Sequence, residues 1–190
     1  MVAFSGRYVI APGYLDSDAG HWQTLWQADL GPTAVRVAVS SWDEPELEDW
    51  VAGLDAAMTP GAVIVAHSLG CLAALEWLDR RPGVAAGAFL VAVPDPAGPD
   101  FPDTITGFVR PRVRTADPVM MVGSTDDPYA GWDYTVATAA AIGAPLVELG
   151  AAGHISTASG RGHWPEGRAL LAGFVADLPH PPTCQNHGGP

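Results

Sequence analysis

The stretch Ala62-Val63-Ile64-Val65-Ala66-His67-Ser68-Leu69-Gly70 decides how this chain folds. Its first half is a continuous apolar, β-branched run of the kind a fully buried strand requires. Its second half has small residues two before and two after Ser68, as a sharp strand-to-helix turn needs if it is to lift a serine hydroxyl clear of the backbone. Cys71 to Leu78 follows with apolar residues at helical spacing and no breaker. The reading is a nucleophile elbow, with Ala66 where glycine is commoner. The competing reading is an ordinary strand–helix turn, because a small-x-Ser-x-Gly pentapeptide also arises by chance.

Other apolar runs share that character. Tyr8–Ala11, Ala34–Val39, Ala88–Val93, Pro118–Val122 and Pro145–Leu149 each end at Gly, Pro or Ser. Helical patterns lie between them at His21–Asp29, Leu47–Leu54, Cys71–Leu78, Tyr134–Ile142 and Arg168–Leu178. Six short strands alternating with helices predict a doubly wound α/β fold, whose functional loops lie beyond the carboxyl ends of the strands. Asp95–Ala116, rich in Pro, Gly, Asp and Arg, reads as loop with room for one short helix, able to shield the edge of a site. The expected organisation is one domain over 1–178 and a disordered tail over 179–190.

Composition narrows the function. A net charge of −12 argues against a nucleic-acid partner. All nine basic residues are arginine, which excludes a lysine Schiff base and a Walker A lysine. No apolar run approaches the ~20 residues of a membrane span, and the N-terminus lacks the pattern of a signal peptide. The expectation is a cytoplasmic protein with no membrane association. Cys71 and Cys184 are the only cysteines, and a structural disulfide is not expected. His180, Cys184 and His187 in the tail lack a fourth ligand, so no metal and no cofactor are expected. Nothing in the sequence identifies a protein partner.

A serine hydroxyl needs a neutral imidazole to take its proton, and that imidazole needs a carboxylate to fix its tautomer. In this kind of sheet the partners follow in the order Ser, acid, His. Gly123-Ser124-Thr125-Asp126-Asp127-Pro128-Tyr129 and Gly150-Ala151-Ala152-Gly153-His154 lie after the fifth and sixth strands. Asp126 and Asp127 compete for the acid. Pro128 restricts Asp127 to extended backbone, which favours it, with Asp126 as a turn-capping acceptor; an Asp-Pro turn without catalysis is the plain alternative. His67 is assigned to packing, pointing away from Ser68. His21 either rims the pocket or merely begins a helix, and His163 leads into the last helix. The backbone amides of Leu69 and Tyr14 are the candidate oxyanion donors, with Gly13 permitting the turn after the first strand. Trp42, Tyr129 and Trp132 are candidate pocket aromatics.

With these segments in view, the chain resembles the small serine hydrolases that include the retinoblastoma-binding-protein-nine hydrolase and YdeN-type bacterial relatives. Ala11-Pro12-Gly13, Gly20-His21-Trp22-Gln23, Trp42-Asp43, Val65–Gly70, Gly123–Tyr129, Gly153-His154-Ile155 and Trp164-Pro165-Glu166-Gly167 carry the likeness. The resemblance implies a minimal α/β-hydrolase fold without a cap domain, strand order 2-1-3-4-5-6, mostly parallel, with helices on both faces. It also implies Ser68, Asp127 and His154 as the triad. The expected function is hydrolysis of small acyl esters through an acyl-enzyme. Alternatives are an aminopeptidase or amidase with the same residues, and a non-catalytic protein-binding module on the same fold.

Overall fold

The computed structural model describes residues 6–111 and 114–179; His180, Cys184 and His187, and all of the expected tail except Pro179, lie outside them. Six strands form one sheet: β1 (Tyr8–Ala11), β2 (Ala34–Arg36), β3 (Val63–His67), β4 (Gly87–Val91), β5 (Val119–Gly123) and β6 (Leu146–Glu148). Their order is β2-β1-β3-β4-β5-β6, the expected one, and every neighbouring pair is parallel. The helices are α1 (Trp22–Leu30), α2 (Leu47–Ala57), α3 (Leu69–Arg80), α4 (Trp132–Ile142) and α5 (Pro165–Ala176).

The two-residue period of a strand splits the core into two layers. Val9, Ala11, Ile64, Ala66, Ala88, Leu90 and Met121 face α2, α3 and α4. Ile10, Val63, Val65, Phe89, Val91 and Val122 face α1 and α5. All five residues of β3 are buried, as the continuous apolar run requires.

Two strands stop sooner than their apolar runs. β2 ends at Arg36 because its neighbour β1 ends at Ala11, and Pro12 has no N–H to extend the ladder. Arg36 then turns its guanidinium to Asp16, Gln27 and Thr24. β4 ends at Val91 because Ala92 takes a positive φ of 56°. Helix α5 starts earlier than its apolar spacing indicates, with Pro165 in its first turn, where the fixed φ suits a helix and the missing N–H costs nothing.

Between β4 and β5 the described residues contain no helix, so the short one allowed for in 95–116 is absent there. Instead the chain is held by polar ties. Thr106 N–H donates to Pro45 and Leu47 N–H donates to Thr106 at the start of α2, and Arg110 pairs with Asp95.

The elbow depends on close backbone contact. A Cβ at Gly70 would lie 2.3 Å from the carbonyl oxygens of both Ala11 and Pro12. Those acceptors are backbone and cannot swing aside. Gly70→Ala is expected to destabilise the protein by about 1–3 kcal/mol or more, read as a lower urea midpoint; an unchanged midpoint would show that this contact can relax.

Candidate active site

Loops from five strand ends meet at one rim of the sheet. Ser68 sits between β3 and α3 with φ 52° and ψ −126°, a strained backbone for a residue bearing a Cβ. Its amide donates to Val91 of β4, which braces the turn from beneath. Gly13 faces it from the loop after β1. There a Cβ would come within 2.8 Å of Ser68 Cβ and 3.3 Å of its Oγ. Glycine is needed at 13 for room against the serine rather than for the turn itself, since its φ is not positive.

Ser68, His154 and Asp127 come together. The Ser68 hydroxyl donates to His154 Nε2 at 2.8 Å. His154 Nδ1–H donates to the Asp127 carboxylate, 2.9 Å from both oxygens. The carboxylate is 2% exposed and also accepts the Tyr129 amide, which fixes its orientation. Of the two competing aspartates, Asp127 faces the histidine. Asp126 is the capping acceptor: its Oδ1 takes the Ser124 hydroxyl at 2.7 Å and the Gly153 amide at 2.7 Å. The Ser124 hydroxyl and then these amides hold the Asp126 carboxyl below its usual range. Ser124 Oγ in turn accepts the Ala152 amide, so the loop after β5 is sewn to the loop after β6.

A cleft of about 360 Å³ opens over Ser68 and His154. Gly13, Tyr14 and Leu69 line it on one side, and Asp100, Phe101, Pro102 and Ile105 of the 95–111 segment form another wall. Of the three candidate aromatics only Tyr129 lines it, its ring edge-on to His154 with centroids 4.6 Å apart. Trp42 instead packs edge-on against Trp50 and belongs to the core beside α2. Trp132 opens α4 and lies against Gly123 of β5, outside the cleft lining.

The first turn of α1 contributes more than the sequence indicated. His21 fulfils both of its readings: it lines the cleft, and its Nδ1 accepts the Gln23 amide as the helix cap. Trp22 Nε1–H donates to the Ile155 carbonyl. Gln23 is fully buried; its amide donates to Ala11 at the end of β1 and to Val65 in the middle of β3, and its Oε1 accepts the Ser17 hydroxyl. The available signal was a glutamine directly after a tryptophan on an apolar helix face. His163 contributes its carbonyl to Trp26 Nε1–H, just ahead of α5.

His67 differs from its assignment. It is not an apolar filler: it lines the cleft with Ser68 and His154, and its Nε2–H donates to the His154 carbonyl at 2.9 Å. The carbonyl can only accept, so Nε2 carries the proton. Burial drives the His67 pKa well below its ordinary value, and burial pushes that of His21 down to about 4.

These two rings set an acid limit on stability. Unfolded, each takes up a proton near pH 6.5; folded, His21 resists until about pH 4, and burial holds His67 well below its ordinary value. Their contribution is therefore complete above pH 6.5 and is lost as the pH falls below it. Urea midpoints measured from pH 7 to 4.5 are expected to decline steadily. A flat series would contradict the burial of both imidazoles.

The chain resembles known proteins in sequence and in fold. The serine hydrolase family profile matches residues 8–173. Comparison with curated protein sequences gives no match. Among solved structures the chain is similar to a protein described as a YdeN-like hydrolase from Pectobacterium atrosepticum. The two share 29% identity over 91% of this chain and 92% of that one, at a TM-score of 0.79. The ydeN gene product of B. subtilis has 24% identity over 90% and 100% of the two chains, at a TM-score of 0.73. An esterase from a Rhodococcus species shares the fold at 15% identity, over 92% and 91%, with a TM-score of 0.67. With the family profile spanning nearly the whole described chain and the fold shared with these neighbours over most of both chains, the protein belongs to the serine hydrolase family on the α/β-hydrolase fold.

Proposed function

We propose that this hydrolase cleaves small acyl esters, with Ser68 as nucleophile, His154 as general base and acid, and Asp127 as the carboxylate that orients it. The observation that carries the reading is the unbroken chain of contacts from Ser68 Oγ through both ring nitrogens of His154 to the buried carboxylate. His154 takes the hydroxyl proton as Ser68 Oγ attacks the acyl carbon. Asp127 holds the tautomer with its proton on Nδ1 and stabilises the imidazolium that forms. The oxyanion of the tetrahedral species accepts hydrogen bonds from the amides of Leu69 and Tyr14. Leu69 begins α3, so its N–H has no partner within the helix and adds the positive end of the helix dipole. His154 returns the proton to the leaving alcohol, and water activated by the same ring releases the acid.

Support for small substrates comes from the cleft. Its volume of about 360 Å³ is near the lower end of ligand-binding sites. Its rim is open beside Leu15 and Tyr129, both exposed at the mouth. The acyl group meets Tyr14, Phe101 and Ile105, with no arginine or lysine among the described lining residues to hold a carboxylate.

A fluorophosphonate probe is expected to label the wild-type protein and not Ser68→Ala. Failure to label folded wild-type protein would overturn the reading in favour of a binding module. Asp127→Asn should lower kcat on nitrophenyl acetate roughly 10³–10⁴-fold, because the amide favours the wrong tautomer. Asp126→Asn should cost far less, since its carboxylate touches neither ring nitrogen. In a series of nitrophenyl esters activity should fall with acyl length, and a matched amide series turned over faster than the esters would reassign the enzyme as an amidase.

A further inference from the structure

The loop carrying His154 is under strain, and His67 is placed to hold it. Ile155, fully buried, has a φ of 49°, an outlier for a β-branched residue. Such a conformation persists only where its surroundings over-determine it. Two consecutive carbonyls of this turn are pinned by side chains from other elements. Trp22 Nε1–H of α1 donates to Ile155 at 2.9 Å, and His67 Nε2–H at the end of β3 donates to His154 at 2.9 Å. The His67 ring is itself wedged between two others, with His21 4.7 Å and His154 4.9 Å away between centroids. It is joined to Ser68 by one peptide bond, so the bond to the His154 carbonyl ties the proposed base directly to the backbone of the proposed nucleophile.

We propose that His67 is a positioning residue for the ester hydrolysis proposed above, on which this inference rests. It acts through a hydrogen bond from its neutral imidazole to the His154 carbonyl, and not through the packing of its ring. Without that bond the part-buried His154 carbonyl loses its donor, and the strained turn is free to relax. His154 Nε2 then moves off Ser68 Oγ. A displacement of about 1 Å at reacting groups can cost on the order of 10²-fold in rate. The lost bond is internal to the protein, so the loss falls on kcat far more than on KM.

Two substitutions separate the hydrogen bond from the ring. His67→Gln keeps an N–H at the position of Nε2 and gives up the aromatic ring; His67→Phe keeps a ring of similar size and gives up the donor. On nitrophenyl acetate the glutamine variant is expected to retain kcat within about 5-fold, and the phenylalanine variant to lose about 30–100-fold with KM little changed. Fluorophosphonate labelling rates should follow kcat. If the phenylalanine variant does not fold, His67→Leu takes its place as the variant lacking a donor, with thermal melting recorded for each protein. The inference is overturned if the donor-lacking variant keeps its kcat. It is equally overturned if the glutamine variant is folded yet as slow as the donor-lacking one. Ser68→Ala distinguishes the levels: an inactive Ser68→Ala beside His67 variants of the overturning pattern removes the role of His67 alone. Wild-type protein that neither hydrolyses nor labels removes both.

Discussion

The rest of the molecule depends on how closely the loop after β1 can lie against the turn after β3. Gly70 admits the carbonyls of Ala11 and Pro12 at a distance no side-chain atom would tolerate, and Gly13 answers by leaving room over Ser68. That mutual approach keeps Ser68 in its positive-φ conformation, with Tyr14 and Leu69 both lining the cleft. The strain at Ser68 is offset by the buried surface of β3 and α3 on either side of it. Neither glycine could be replaced without moving backbone, and moving backbone here moves the hydroxyl.

The buried carboxylate and the imidazole are held differently from the hydroxyl. Asp127 and His154 sit on loops, yet neither loop is loose, because backbone amides and side-chain acceptors from neighbouring loops satisfy each other. Ser124 and Asp126 form the seam between them. An aspartate pair thus divides its labour: one carboxylate binds the loops together and the other, buried, faces the imidazole. Like charges on neighbouring residues are tolerable because Asp126 is exposed and stabilised by its donors, while Asp127 is engaged by the imidazole and the Tyr129 amide.

The strands, the elbow and the three converging residues were legible in the sequence, since each rests on local chemistry: a continuous apolar run, small residues around Ser68, Pro128 restricting Asp127, glycines before His154; the strand order followed only from the family resemblance. What could not be read there was anything set by long-range packing. Trp42 and Trp132 occupy loop or helix-start positions like Tyr129, but only the fold decides which ring reaches the cleft, and Trp50 and the end of β5 claim the other two. The polar role of His67 was hidden for the same reason. Its acceptor is a carbonyl eighty-seven positions away, and nothing about a histidine beside a serine reveals it. The early ends of β2 and β4 likewise reflect neighbours, Pro12 in one case and the turn at Ala92 in the other.

His21, Trp22 and Gln23 are consecutive, yet they reach the His67 ring, the Ile155 carbonyl and strands β1 and β3 respectively. By contrast, Asp100, Phe101, Pro102 and Ile105 form a wall of the cleft, and no hydrogen bond links them to Ser68, Asp127 or His154. The two sides of the site are therefore unequal in what they can absorb over evolutionary time. One wall is free to drift, trading one substrate preference for another, while the opposite side is locked to the chemistry. New specificities in this scaffold should accumulate along 95–111 and leave the first turn of α1 unchanged.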